Sequence, residues 1–473
     1  MKSFFKAFCL ALISFLVVSC NNTYVENVDR GEGYYFRPGY PELRMVASGL
    51  FDIENQAIIE VVGDIVYGSV VFKKVNNRFQ ASLSVDIQII DKENPESTPQ
   101  NLQFPIVIRD SQPNIVQSQR VFSFNRNIQS SPGRYTVNVT LIDNSSGKQT
   151  SRSADVIIPD PDDITPHITN IRVLGKELEE ERTGFFPVTT YDVQKSVDSL
   201  RLEFQVTNND PDNPLTIESR LLRFRSDTSI ANPLTYYNYP TASLPYKGID
   251  YDRFEVIQES RRTLLQPGSV LIQFWFTDLE RGNYRFEVTS RLDEDRELFK
   301  ARDFGIKSPN YPAIRSAREL AAPLHYLMDD DDHEKLMSIS DNDSLKKEID
   351  RFWLSNVKSA SKAKQVLELY YQRVEEANKQ FSNFKEGWKT DPGMIYILFG
   401  PPLQVETSLD RMRWSYSYNM SRFEDNFFFE TPRVRSEFYP YYNYLLNRSQ
   451  QYYNVQYQQI QRWLNGTVLR DNL

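Results

Sequence analysis

The period of the hydrophobic pattern changes once along this chain, near residue 310, and that change rules out a single uniform fold. From residue 45 to residue 308 the apolar residues tend to recur at every second position. Phe79-Gln80-Ala81-Ser82-Leu83-Ser84-Val85-Asp86-Ile87-Gln88-Ile89 is the clearest run, and Tyr135 to Ile142, Ser199 to Val206 and Ser269 to Phe276 repeat it. Such alternation puts one set of side chains on a buried face and the other in water, as an antiparallel strand of a sandwich requires. Beyond Ser308-Pro309-Asn310-Tyr311-Pro312 the spacing becomes helical. The expected fold class is therefore multidomain α+β: two antiparallel β-sandwich domains, then a helical segment and a small α/β module.

Turn chemistry sets the boundaries. Ile65 to Phe72 reads as a strand leading through Asn76-Asn77 into the run from Phe79. Asp143-Asn144-Ser145-Ser146-Gly147 reads as a hairpin loop. Pro159-Asp160-Pro161-Asp162-Asp163 and Pro166 form a stiff acidic linker. The first sandwich is assigned to 45–160 and the second to 161–308. Pro132-Gly133 and Pro267-Gly268 precede comparable strands, a weak sign that the two share a plan.

In the remainder, 309–473, Asp343-Ser344 can cap a helix carrying Leu345, Ile349, Phe352 and Trp353 on one side. A longer helix over 361–384 aligns Ala363, Val366, Tyr370, Val374, Ala377, Phe381 and Phe384 in a stripe that reads as a packing face. Two strands are expected next, Met394 to Phe399 and Arg411 to Tyr418, with a third at Asn426 to Phe429. A tyrosine-rich segment and a helix stopping at Asn465-Gly466 close the chain. The helical part is placed at 309–386 and the α/β part at 387–473.

The N-terminus has the order of a secretory signal: Lys2 and Lys6, an apolar run from Ala7 to Val18, then small Ser19 before Cys20. Val17-Val18-Ser19-Cys20 resembles the bacterial lipobox, in which the cysteine is acylated and becomes the first mature residue. Residues 1–19 are thus expected to be a signal peptide and 20–44 a lipidated tether. Their removal takes Cys9 away, and acylation of Cys20 leaves no thiol for a disulfide, a nucleophile or a metal. The net charge of −8 becomes −10 once Lys2 and Lys6 are lost, which opposes nucleic-acid binding.

Directly after the long helix comes Gly387-Trp388-Lys389-Thr390-Asp391. Gly387 can end a helix, Thr390 and Asp391 can satisfy free N–H groups, Asp391-Pro392-Gly393 suits a tight turn, and Trp388 offers a large ring to a seam. Gly400-Pro401-Pro402 then stops the following element. With Tyr370 to Ala377, Ile395-Tyr396 and Trp414-Ser415-Tyr416, this run resembles the GWxTD domain, a family found in lipoproteins of Bacteroidetes. The resemblance spans Ala313 to Leu469. It departs from the family at Met412-Arg413, where an acidic residue is usual, and in the tyrosine-rich tail. It implies a fold and an envelope address but no activity, with Gly387, Trp388, Thr390, Asp391, Gly400, Pro401, Pro402, Trp414 and Tyr416 as structural motif residues. Gly400-x-Pro402 with Trp414-x-Tyr416 also resembles a hairpin of the small lipoprotein subunit of the outer-membrane β-barrel assembly machine, with a strand where that protein has a helix.

No hydrolase elbow, zinc-protease helix or phosphate loop occurs in the sequence. His167, His325 and His333 are not spaced as ligands or triad partners, and Asp329 to Asp332 reads as a solvated helix start. No catalytic residue, metal or cofactor is expected. Thr390 beside Asp391 reads as cap plus turn rather than as a catalytic pair. The expected function is a lipid-anchored, non-enzymatic scaffold or accessory subunit of an outer-membrane assembly or secretion machine, with the membrane and envelope proteins as partners. Because the first acid after Cys20 is Glu26, the periplasmic face of the outer membrane is favoured. The alternative is a glycan or peptidoglycan binder that stacks sugars on Tyr439, Tyr441, Tyr442, Tyr452 and Tyr453.

Overall fold

A computed structural model describes residues 23–26, 39–52, 54, 56–111, 120–160, 162–177, 184–193, 197–293, 296–417, 423–433 and 439–472. Cys20, the expected signal peptide, most of the expected tether and Tyr418 lie outside these residues.

The first sandwich follows from its alternating strands. Ala81, Leu83, Val85, Ile87 and Ile89 of the strand Arg78–Asp91 are all buried, against Val137, Val139 and Leu141 of Gly133–Asp143. These strands belong to a five-stranded sheet that shares one core with a three-stranded sheet formed by Leu43–Phe51, Ala57–Val66 and Val121–Gln129. Asn76 and Asn77 both take positive φ, 48° and 64°, as a two-residue hairpin turn demands. Asp143 builds its loop by accepting from the Ser145 and Ser146 amides through Oδ1 and from Val71 N through Oδ2. One expectation fails locally: the strand ends at Val66, and Tyr67–Ser69 is a 3-10 turn rather than part of a strand through Phe72.

The second β unit has two five-stranded sheets around one core. In one, Leu215–Ser226 lies between Gly282–Arg291 and Ile249–Leu264, and Glu297–Ile306 pairs with the far side of Gly282–Arg291. In the other, Val197–Asn208 pairs with Arg172–Glu177 and with Gly268–Thr277. Pro132-Gly133 and Pro267-Gly268 do equivalent work, each carrying the chain from one sheet of its sandwich to the other. The tether expectation needs amending, because Thr23–Glu26 adds a parallel strand to the edge Glu297–Ile306, with Thr23 opposite Phe299.

The two β units are in direct contact. The Gln205 carboxamide accepts from Phe51 N at 2.8 Å and donates to Phe51 O at 2.6 Å, imitating a strand partner. Thr189 Oγ1 donates to Asp64 at 2.7 Å, and Arg172 joins Glu60 of the first unit to Glu203 of the second.

The C-terminal module comprises α1 (Ala317–Ala321), α2 (Asp330–Ser338), α3 (Asn342–Val357), α4 (Ala360–Phe381), α5 (Asp391–Phe399) and α6 (Tyr453–Leu464). A four-stranded antiparallel sheet, Gln404–Thr407, Arg411–Ser415, Asn426–Glu430 and Leu445–Leu446, completes it. The cap of α3 is Asp341, two residues before Asp343, and it accepts from Ser344 N at 2.8 Å. The stripe on α4 is buried from Ala363 to Ala377, but the helix stops at Phe381, so Phe384 leaves it. Trp353, Tyr370 and Trp463 meet edge to face at the centre, with Tyr370 5.5 Å from one ring and 5.1 Å from the other.

The main correction concerns residues 394–399, which form the helix α5 and not a strand. The apolar run Met394 to Phe399 shows no amphipathic period because α5 is surrounded: Met394, Ile395, Ile397 and Leu398 are all fully buried. Its sign in the sequence is the start, with Thr390 as N-cap and Pro392 in the first turn. The helix expected before the Gly-x-Pro hairpin is therefore present.

Replacing Gln205 with Ala removes both bonds to Phe51 and should cost about 1–2 kcal/mol at this contact. Hydrogen exchange at the Phe51 amide should accelerate about tenfold in that variant, while amides of the Arg78–Asp91 strand keep their protection.

Candidate functional site

The GWKTD run is assembled by close backbone approach. A Cβ on Gly387 would fall 1.9 Å from Ala377 O, and one on Gly393 would fall 1.8 Å from Gly387 O, so neither position tolerates a side chain. Gly387 does not end a helix in the left-handed conformation. It opens the 3-10 turn Gly387–Lys389, and its amide donates to Ser382 Oγ at 2.8 Å. Trp388 is buried, with its amide on Asn378 Oδ1 and its carbonyl accepting from Tyr326 OH at 2.7 Å. Thr390 caps α5: Oγ1 accepts from Gly393 N at 3.1 Å and donates to Gly387 O at 2.7 Å.

Asp391, the first residue of α5, is the centre of the site. Arg448 grips it with both arms, Nη2 to Oδ1 at 2.7 Å and Nη1 to Oδ2 at 2.9 Å, and Leu446 N donates to Oδ2 at 2.6 Å. The side chains are 0% and 2% exposed for Arg448 and Asp391. Burial alone would lower the basicity of the Arg448 guanidinium; Asp391 more than offsets that and raises it. The positive end of the α5 dipole adds to the stabilisation of the carboxylate.

Arg448 also reaches across the molecule. Its Nε and Nη2 donate to Pro233 O and Asn232 O, its amide donates to Asn238 Oδ1, and its guanidinium lies 4.5 Å from the Tyr239 ring centroid. Residues 227–248 form the excursion between two strands of the second β unit, and Ala231 and Leu234 are buried in the core of the C-terminal module. Asn443, Ser449 and Gln450 continue the lacing onto Tyr246, Leu234 and Thr235.

The segment before the motif docks in the same way. Lys385 Nζ lies 2.5 Å from Asp227 Oδ2 and donates to Ser229 O, with both charged side chains buried. Burial pulls the Lys385 ammonium below the usual lysine range, and Asp227 opposes that pull. Glu386 takes Arg281 at 2.9 Å, Lys389 at 3.0 Å and the Ser308 hydroxyl at 2.8 Å. Burial raises its carboxyl, yet Arg281 and Lys389 bring it down to about 2. Phe384 packs with Phe224 and Ile249 of the second β unit and covers Gly248, where a Cβ would lie 2.4 Å from the ring.

The second half of the motif closes the other end of α5. Gly400, at φ +83°, leaves room for Arg373, whose Nη1 donates to Ile397 O and Leu398 O. Gln459 and Trp463 Nε1 also donate to Leu398 O, so the helix terminus is held from α4 and α6 together. Pro401 and Pro402 lie at the surface after the helix, partly or fully exposed. Tyr416 OH donates to Gly400 O at 2.7 Å, and Trp414 is buried between Phe381 and Phe429. The structure thus places Gly387, Trp388, Thr390 and Asp391 at one end of α5 and Gly400, Trp414 and Tyr416 at the other.

Sequence reading missed Arg448, Lys385, Glu386 and Asp227. Lys385-Glu386 could have been noticed as charges abutting a motif; Arg448 lies 57 residues from Asp391, with no local signal. His325 and His333, which are not spaced as ligands in the sequence, do meet in space, with rings 5.1 Å apart. Burial lowers the basicity of both, and His333 Nε2 is engaged with Ala322 O. No group of three metal-binding side chains occurs among the described residues. Of the tyrosines considered for sugar stacking, Tyr441 and Tyr452 are buried, whereas Tyr442 and Tyr453 are 57% and 62% exposed. A cleft of about 160 Å³ borders Trp388 and Lys389, and its charged groups are committed: Arg318 to Met337 O and Ile339 O, Glu319 to Asn310, Glu386 as above.

Residues 290–465 match the family model of the GWxTD domain. No curated protein matches the chain. Among solved structures it is similar to red sea bream transglutaminase, at 10% identity over 56% of this chain and 31% of that one with a TM-score of 0.18. It is also similar to native Escherichia coli alpha-2-macroglobulin, at 16% identity over 55% of this chain and 16% of that one with a TM-score of 0.17. The elastase-activated form of the E. coli protein gives 10% identity, 58% and 22% coverage and a TM-score of 0.19. The chain spans less than a third of each of these proteins, and overlaps this slight carry no functional argument.

Replacing Asp391 with Ala strands a buried guanidinium and should destabilise the protein by about 3–5 kcal/mol in denaturant unfolding. Glu386 gives a pH signature. Its folded value of about 2 lies below its ordinary 4.5, so its contribution is present above pH 4.5 and disappears as pH falls toward 2. That contribution is about 3 kcal/mol, and Glu386→Gln should flatten the acid limb of a melting-temperature profile across that interval.

Proposed function

We propose, for a chain whose C-terminal module belongs to the GWxTD domain family, that it is a lipid-anchored, non-enzymatic scaffold or accessory subunit of an outer-membrane assembly or secretion machine. The observation that carries this reading is the use made of the motif: Gly387, Trp388, Thr390 and Asp391 are buried, the first three spent on building the start of α5 and Asp391 on holding Arg448, which docks on the second β unit. A rigid, multi-unit body is what a scaffold needs to hold partners at fixed separation. The surface offers places to hold them. The hairpin strand Gln404–Thr407 is a fully exposed sheet edge that carries Val405 and is flanked by Leu403 and Leu409; these three are 51%, 58% and 91% exposed. A free edge with apolar side chains is suited to strand addition by a protein partner. Tyr453 and Tyr457, one turn apart on α6, add a second exposed aromatic pair.

Attachment through Cys20 is part of the proposal, as is the periplasmic face of the outer membrane. The glycan-binding alternative is weaker, since Tyr441 and Tyr452 are buried and cannot stack a sugar without unfolding. Affinity capture of the full chain from detergent-solubilised membranes should bring down a fixed set of envelope proteins, and Val405→Glu should release them while the chain still folds. A protein that elutes alone under every detergent would count against the scaffold role. Cys20→Ser should move the chain from the membrane to the soluble fraction.

A further inference from the structure

The strand Thr23–Glu26 begins three residues after Cys20. Three residues reach at most about 11 Å. Without this strand the next described residue would be Gly39, nineteen residues on, and a chain of that length can reach about 65 Å. Pairing of Thr23–Glu26 with Glu297–Ile306 therefore replaces a long leash on Cys20 by a short one. The register says which part of the body that leash holds. Thr23 stands in one row with Phe299, Thr289, Glu218 and Arg261 across the five-stranded sheet. Going from that row toward the N-terminal side of Thr23 is also going from Glu218 to Leu215 and from Arg261 to Leu264, where the sheet ends. Cys20 is thus confined to the neighbourhood of that end of the second β unit. The first β unit reaches the same level, because Phe51 is bonded to Gln205, the residue opposite Leu271.

That end presents apolar side chains to solvent. Leu265 is 74% and Ile164 66% exposed, and Val270 and Leu271 are exposed beside Leu265. Ile164 is brought there by Asn209, whose Nδ2 donates to Asp163 O at 2.9 Å. Apolar tips next to an attachment point suit the head-group boundary of a bilayer, roughly 6 Å deep on each side. Charge narrows the class of lipid. Residues 160–166 and 208–214 carry Asp160, Asp162, Asp163, Asp210 and Asp212 and no Lys or Arg. The neighbouring arginines do not reverse this balance. Arg261 lies 3.6 Å from Glu218, Arg296 2.5 Å from Asp293, Arg291 stands opposite Glu297, and Arg262 lies over the Phe274 ring. An acidic end repels anionic head groups. We propose that this end of the two β units docks on a zwitterionic phospholipid surface, held there by the three-residue leash. The inference rests on the acylation of Cys20 proposed above. Leu215–Ser226 leads away from the lipid for about 36 Å. The excursion that receives the C-terminal module starts at its far end, so the module is presented on the side away from the membrane.

The test uses the full acylated chain reconstituted into phosphatidylcholine vesicles. With Cys9 lost and Cys20 acylated, L265C or Y237C supplies the sole free thiol for a fluorescent maleimide. Tyr237 lies on the far excursion and is 83% exposed, so neither substitution touches the core. Lipid carrying a nitroxide on its head group should quench the L265C probe about twofold or more and leave the Y237C probe unquenched. A Gly-Ser segment of about twelve residues inserted between Asn21 and Asn22 raises the maximum reach to about 50 Å and should remove most of the L265C quenching. Replacing part of the phosphatidylcholine with phosphatidylglycerol should weaken that quenching. Intact mass reports the acylation of Cys20 separately. Equal quenching of the two probes on an acylated chain overturns the docking, and quenching unmoved by the insertion overturns the leash. Stronger quenching with phosphatidylglycerol overturns the lipid class. A mass without acyl groups overturns the anchor, and the inference with it.

Discussion

The joint between the C-terminal module and the second β unit depends above all on a buried ion pair, Asp391 with Arg448. Two charges moved out of water lose several kcal/mol of solvation each, and their attraction recovers it only if every donor and acceptor is used. Here they are: both carboxylate oxygens accept, and the guanidinium spends its other protons on the carbonyls of Pro233 and Asn232. A hydrophobic pair of the same volume could be as stable but would be satisfied in many relative positions. The ion pair accepts one, and so it fixes the register in which the tail, α5 and the 227–248 excursion meet.

Around that pair the familiar boundary between domains loses its meaning. The excursion 227–248 belongs in sequence to the second β unit, yet Ala231 and Leu234 lie in the core of the C-terminal module. In return the segment 382–386, which follows α4, is held by Asp227, Arg281, Asn283 and Lys307 of the β unit. Each unit contributes a loop to the other. The first β unit joins through Gln205 and Phe51. The result is less a pair of arms on a tether than a continuous body with its family motif at the main joint.

How far this was legible in the sequence depends on whether the deciding interaction was local. Alternation in Phe79–Ile89 and Ser269–Phe276 identified strands because each side chain's environment follows from its own position. The stripe on α4 was equally plain. Met394–Phe399 misled because a helix buried on all sides has no amphipathic period, and only the cap at Thr390 distinguishes it from a buried strand. Gly387 was recognised as special for the wrong reason: the constraint is contact with Ala377 O, made by a neighbour on α4 and not by its own φ. Thr390 caps α5, while Asp391-Pro392-Gly393 is the first turn of that helix and not a separate tight turn; the partner of Asp391 could not be seen, because nothing near Arg448 marks it as paired 57 positions away.

The motif residues cluster at the two ends of one buried helix, which they cap and hold in place. At its start Asp391, through Arg448, ties α5 to the β unit; at its end Arg373 ties it to α4, and Tyr416 ties Gly400 to the hairpin that presents the exposed edge. The docking contacts and the exposed edge are thereby joined through α5. A double-mutant cycle on Asp391→Ala and Arg448→Ala, read by denaturant unfolding, tests this most directly. The account predicts a coupling energy of about 2–3 kcal/mol, with the double variant less damaged than the sum of the singles; additive effects, or singles with wild-type stability, would contradict it.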